Sequence, residues 1–104
     1  MRSLLTKDEI RKCLTHIAHS ELPQAREILE NFGKDGTATR NALEGLIAST
    51  NNKSTKALLA NRDKMKSLKA SLSKRSGSVW ADDYDKKFSK TWIEFLNIKL
   101  KDSE

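Results

Sequence analysis

One cysteine and two histidines near the start of the chain have a spacing that could support chemistry. Cys13, His16 and His19 recur at steps of three residues. Thiolate and imidazole are common zinc ligands, and a Cys–His pair can also provide nucleophilic catalysis. On a helix, however, Cys13 falls on the apolar face with Ile10 and Ile17, while His19 faces away from it. We therefore predict one buried thiol and two surface imidazoles, with no catalytic residue, no metal and no cofactor.

Motifs that place catalytic groups by spacing are missing from the sequence. It contains no glycine-rich phosphate loop, no HExxH motif and no GxSxG motif. Carboxylate pairs such as Asp82 and Asp83 are adjacent, so they point in different directions on a helix. We predict a protein that is not an enzyme.

The strongest chemical signal is positive charge confined to one stretch. The 104 residues have a net charge of +6, yet residues 51–76 alone hold eight basic side chains and one acid, Asp63. Helix faces that only keep a protein soluble usually mix both signs at a spacing of four residues. A block of one sign favours a polyanionic partner. The predicted phosphate-binding residues are Lys53, Lys56, Arg62, Lys64, Lys66, Lys69, Lys74 and Arg75.

A second stretch has side chains suited to reading bases. Two helical segments joined by Gly33-Lys34-Asp35-Gly36 have the size of a helix-turn-helix. Arg and Asn make bidentate hydrogen bonds to guanine and adenine. If the second segment enters a groove, the candidate base-reading residues are Thr39, Arg40 and Asn41. The alternative is an ordinary αα-hairpin, which small helical domains commonly contain.

The elements that must position these residues are all predicted to be helices. Apolar residues repeat at i, i+3, i+4 and i+7, and no segment alternates as a strand would. Thr6 and Glu9 form the S/T-x-x-E pattern of a capping box. The predicted fold is a single all-α domain, a compact bundle of about five helices with short loops. The predicted helices span about 6–19, 22–32, 37–49, 54–74 and 79–99.

Five aromatic residues recur on one side of the last predicted helix. Such a stripe usually belongs to the core, and we predict that it packs into the groove formed by the first three helices. The alternative is an interface with a second copy of the chain or with another protein. The stripe consists of Trp80, Tyr84, Phe88, Trp92 and Phe95, and the candidate interface residues are Trp92, Ile93, Phe95 and Leu100.

Two functions fit these patterns. The first is a regulatory or accessory protein that binds nucleic acid, with DNA favoured, through a cationic helix at residues 53–75. The second is an adaptor or inhibitor that binds an acidic protein surface and dimerises through its last helix. A membrane partner is not expected, because the apolar runs are only a few residues long. The start of the sequence has no apolar signal-peptide region, so we expect a cytoplasmic protein.

Overall fold

Six helices account for the fold in this computed structural model, which describes residues 5–31 and 38–102. The described residues contain no strand, so the all-α prediction is confirmed. The helices are α1 Lys7–Ala18, α2 Leu22–Glu30, α3 Ala38–Ser49, α4 Lys53–Leu59, α5 Arg62–Ser76 and α6 Asp83–Asp102. None of these helices is long and apolar enough to cross a membrane.

The start of α1 has the predicted capping box. The Thr6 hydroxyl accepts a hydrogen bond from the Glu9 amide at 3.2 Å, and the Glu9 carboxylate accepts one from the Thr6 amide at 3.1 Å. Both amides belong to the first turn, where no carbonyl of the helix is available to them. This reciprocal pair fixes where α1 begins.

The predicted helix over residues 54–74 is instead two helices, α4 and α5. The division falls at Asn61, whose side-chain oxygen accepts a hydrogen bond from the Lys64 amide at 3.0 Å. Asn52 caps α4 in the same way, with the Ser54 amide at 2.8 Å. Asparagine competes for backbone donors in this manner and so favours helix starts over helix interiors. The single cationic helix predicted at 53–75 is therefore corrected to two elements.

The last helix begins at Asp83, four residues later than predicted. Asp82 acts as the capping residue, because its carboxylate accepts a hydrogen bond from the Asp85 amide at 2.8 Å. The linker before it makes its own hydrogen bond, from the Ala81 amide to the Ser78 carbonyl at 3.2 Å. This shift removes Trp80 from the helix, and its side chain is 91% exposed. Trp80 is therefore not part of the aromatic stripe.

The core is centred on α6, which packs against α1, α3 and α5. Trp92 and Phe95 are 8% and 1% exposed, and their rings meet edge to face with centroids 5.8 Å apart. Phe88 packs against this core and stacks on Tyr84, which remains 44% exposed. Phe88, Trp92 and Phe95 therefore belong to the core as predicted, but the predicted groove of the first three helices is wrong, because α6 packs mainly against α5 and α3 and also against α1. The fully buried aliphatic residues around them include Leu14, Leu43, Leu46 and Leu96.

The two tryptophans are expected to differ in their contribution to stability. Trp80→Ala should change the free energy of unfolding by about 0.5 kcal/mol or less, because its side chain is exposed. Trp92→Ala should cost about 3–5 kcal/mol through the cavity it leaves. Trp92→Phe should cost less, because the buried Trp92 Nε1 has no hydrogen-bond partner among the described residues. Urea unfolding followed by circular dichroism measures all three, and an equal loss for Trp80→Ala and Trp92→Ala would contradict the placement of Trp80.

Candidate nucleic-acid interface

The eight basic residues predicted to bind phosphates are distributed over two helices. α4 contributes Lys53 and Lys56, and α5 contributes Arg62, Lys64, Lys66, Lys69, Lys74 and Arg75. Lys69 is half-buried and the other seven are exposed. Because Asn61 ends the run of α4 and caps α5, these cations belong to two separate helices.

Burial of Met65 and Leu72 determines which way α5 faces. These two side chains are the buried residues of the helix. Four other residues of α5 follow one another at spacings of four, three and four positions. Their side chains therefore lie within about 60° of one another around the helix axis. This row runs along the side of α5 that faces α6 and consists of Arg62, Lys66, Lys69 and Ser73.

The row forms one wall of a groove between α5 and α6, which we call the α5–α6 groove. It is an open depression of about 580 Å³. The opposite wall comes from the last turns of α6, with Asn97, Leu100 and Lys101. Among the residues that the structure describes, four cationic side chains line the groove and no acidic side chain does. A cleft lined by one sign of charge attracts and concentrates ions of the other sign.

The remaining basic residues of α5 lie outside this groove. Lys64 is on the α4 side of the helix, where Asp63 lines the same shallow depression. Arg75 is beside Asp85, with its Nη2 atom 3.6 Å from the carboxylate, so part of its charge is already balanced. Lys74 is exposed and lines none of the grooves described here. The structure therefore brings together Arg62, Lys66 and Lys69 from the predicted set.

The three candidate base-reading residues begin α3 but do not share a surface. The Arg40 Nε atom donates a hydrogen bond to the Glu44 carboxylate at 3.0 Å, and the Arg40 side chain is only 13% exposed. Thr39 is half-buried beside α1 and α6, while Asn41 is exposed. Arg40 is thus occupied by an internal ion pair. The predicted turn of the helix-turn-helix, at residues 33–36, lies outside the described residues.

The candidate interface residues of α6 are placed mainly in the core. Trp92 and Phe95 are buried, and Ile93 and Leu100 are half-buried against the same core. A side chain with its surface already covered has little left to offer a partner, so Trp92 and Phe95 are corrected from interface to core residues. Leu100 instead contributes to the α5–α6 groove.

Sequence reasoning missed two residues of the α5–α6 groove, Asn97 and Lys101. They lie four residues apart, on a face of α6 that is turned away from Phe95. Helix periodicity could have shown that these two side chains share a face. It could not have shown that this face borders α5, because helix pairing is a tertiary property.

Cys13, His16 and His19 have separate surroundings. The Cys13 thiol is buried, as predicted, and its sulfur lies 3.7 Å from the Ala25 carbonyl oxygen. The His16 Nδ1 atom lies 3.1 Å from the Glu21 carboxylate, and the His19 Nε2 atom lies 3.1 Å from that of Asp102. These contacts tie the end of α1 to the start of α2 and to the end of α6. Within the described ranges, no three such side chains meet as metal ligands would.

Comparison of the chain with models of protein families, with curated proteins and with solved structures gave no match. The function of the chain is therefore inferred from its own charge and geometry. The feature with the clearest chemical meaning is the α5–α6 groove.

The Cys13 thiol should resist modification while the protein is folded. Burial raises its pKa from an ordinary 9.0 to about 12, so very little reactive thiolate exists at pH 8. We expect negligible reaction with an aromatic disulfide reagent at pH 8 in buffer and one equivalent of reaction in denaturant. Full reaction without denaturant would show that Cys13 is accessible.

Proposed function

We propose that this chain is a non-enzymatic nucleic-acid-binding protein that binds phosphates in the α5–α6 groove. The observation that carries the proposal is the groove lining, which within the described part of the chain has four cationic side chains and no acid. Nucleic acid is the partner class with closely spaced negative charges along its whole length. The proposed role is regulatory or accessory, in the cytoplasm where nucleic acid is present.

The dimensions of the groove suit a phosphate backbone. From Arg62 to Ser73 the helix rises about 16 Å, at 1.5 Å per residue. Phosphates of one duplex strand advance about 3.4 Å each along the duplex axis and lie further apart along the winding strand, so this length follows fewer than five of them. The Ser73 hydroxyl and the Asn97 amide line the groove beside the cations, and both groups donate hydrogen bonds to phosphate oxygens.

This arrangement favours backbone binding over base reading. Lysine and arginine contacts to phosphates fix position but carry no sequence information. Arg40, the best base-reading candidate, is held by Glu44. We therefore propose binding driven by counterion release, with DNA favoured and with limited sequence preference.

A second candidate function, a protein–protein module, is favoured by a different observation. Val79 and Trp80 are both exposed in the linker between α5 and α6. Tryptophan is enriched among the residues that dominate binding energy at protein interfaces. In this alternative an adaptor or inhibitor binds an acidic protein, or a second copy of itself, with Trp80 as the apolar anchor.

A salt series on a short labelled DNA duplex tests the proposal. Four phosphate contacts, one for each cation of the groove, predict a slope of about −3.6 for log affinity against log salt concentration. Lys66→Gln with Lys69→Gln should weaken binding about tenfold or more, and should reduce the magnitude of the slope by about two. Fluorescence anisotropy measures both quantities.

The matched control is Lys64→Gln with Lys74→Gln, which removes the same charge from the same helix outside the groove. Its effect should be clearly smaller. Equal loss in the two double variants would contradict binding through the groove. No binding by the wild-type protein at about 50 mM salt would end the nucleic-acid proposal and leave the protein–protein module.

A further inference from the structure

A second groove lies on the other side of α6, between α6 and α1, and we call it the α1–α6 groove. It has a volume of about 650 Å³ and an apolar floor of Ile10, Leu14 and Ile98. Four cations surround this floor, two from each helix, and they are Lys7, Arg11, Lys87 and Lys90. Among the described residues that line it, Glu94 is the one acidic side chain.

The cations of the α1–α6 groove are not held in ion pairs by the described residues. None of the ion pairs in the described part of the chain involves Lys7, Arg11, Lys87 or Lys90. The acids nearest to Lys7 in sequence lie on other sides of α1, and Glu9 is held in the capping box. The groove therefore presents positive charge although α1 as a whole is nearly neutral.

The two grooves adjoin along the exposed ridge of α6. Asn97 lines both of them, so they are separated by the width of one helix. The ridge continues at helical spacing through Lys90, Glu94, Asn97 and Lys101. Cations from α5, α6 and α1 therefore border one continuous strip of surface.

We propose that the α1–α6 groove is a second phosphate-binding site, and that a bound nucleic acid crosses α6 to occupy both grooves. This inference rests on the proposed function, because it extends the same partner to a further site. A phosphate path of this kind would engage up to eight cations instead of four. The predicted salt slope then rises from about −3.6 to about −7 for a duplex long enough to reach both grooves.

Removal of charge from the second groove provides the first test. Lys87→Gln with Lys90→Gln should reduce the magnitude of the salt slope by about two, while binding through the α5–α6 groove remains. The matched control is Lys12→Gln with Arg26→Gln, two exposed cations on α1 and α2 that line neither groove. If the two double variants bind alike, the inference is wrong and the proposed function still stands. If the wild-type protein does not bind the duplex at all, the proposed function itself is wrong.

Removal of the single acid provides a test that loss of folding cannot mimic. Glu94→Gln should tighten duplex binding roughly two- to fivefold, because it removes an exposed like charge from the phosphate path. Glu27→Gln makes the same change on the exposed surface of α2 and should leave the affinity close to that of the wild type. An affinity for Glu94→Gln no higher than that of Glu27→Gln would place the nucleic acid away from the α1–α6 groove.

Discussion

Trp92, Phe95 and Leu96 hold one face of α6 in the core, where the helix meets α1, α3 and α5. The buried face also decides which residues remain outside. Because side chains three and four positions apart share a face, the opposite ridge from Lys90 to Lys101 must point to solvent. The grooves on its two sides exist because α5 and α1 pack against the flanks of the same helix. The distribution of surface charge thus depends on an apolar contact.

The concentration of positive charge on α5 has consequences for its stability. This helix buries only Met65 and Leu72, and its like charges repel one another at spacings of three and four residues. Helices of this length gain most of their stability from packing, so α5 depends on its contact with α6. An anion bound in the α5–α6 groove would relieve the repulsion and stabilise the folded state by linkage.

Local features of the sequence were sufficient for much of the fold. The capping box at Thr6, the apolar face around Leu14 and the core role of Phe95 all follow from spacing along one helix. The break at Asn61 and the late start of α6 at Asp83 were missed, because each depends on one side chain capturing a backbone amide. The helical repeat of apolar residues continues across such positions and therefore does not reveal the helix ends.

The candidate site was less predictable than the fold. The number of basic residues along the chain indicates Arg62, Lys66 and Lys69, because these three are close together in the sequence. Lys101 was missed, because it is brought beside them only by the pairing of α5 with α6. Lys87 was missed for a related reason, since its segment contains nearly equal numbers of acids and bases. The basic and acidic side chains of that segment can be assigned to different surfaces only once the buried face of α6 fixes the orientation of the helix.

The charge along the α5–α6 hairpin is also asymmetric, and this bears on the direction of a bound polyanion. At the open end, Arg62 and Lys101 line the same groove. At the linker end, Asp82, Asp83 and Asp85 follow one another closely, and Asp85 already neutralises part of Arg75. A phosphate chain that ran along the hairpin toward Trp80 would approach these acids. A chain that turned across α6 toward α1 would meet further cations and, within residues 5–31 and 38–102, a single acid of that groove, Glu94. Electrostatics therefore favours a path that follows the α5–α6 groove no further than Ser73 and then crosses α6, away from the exposed linker.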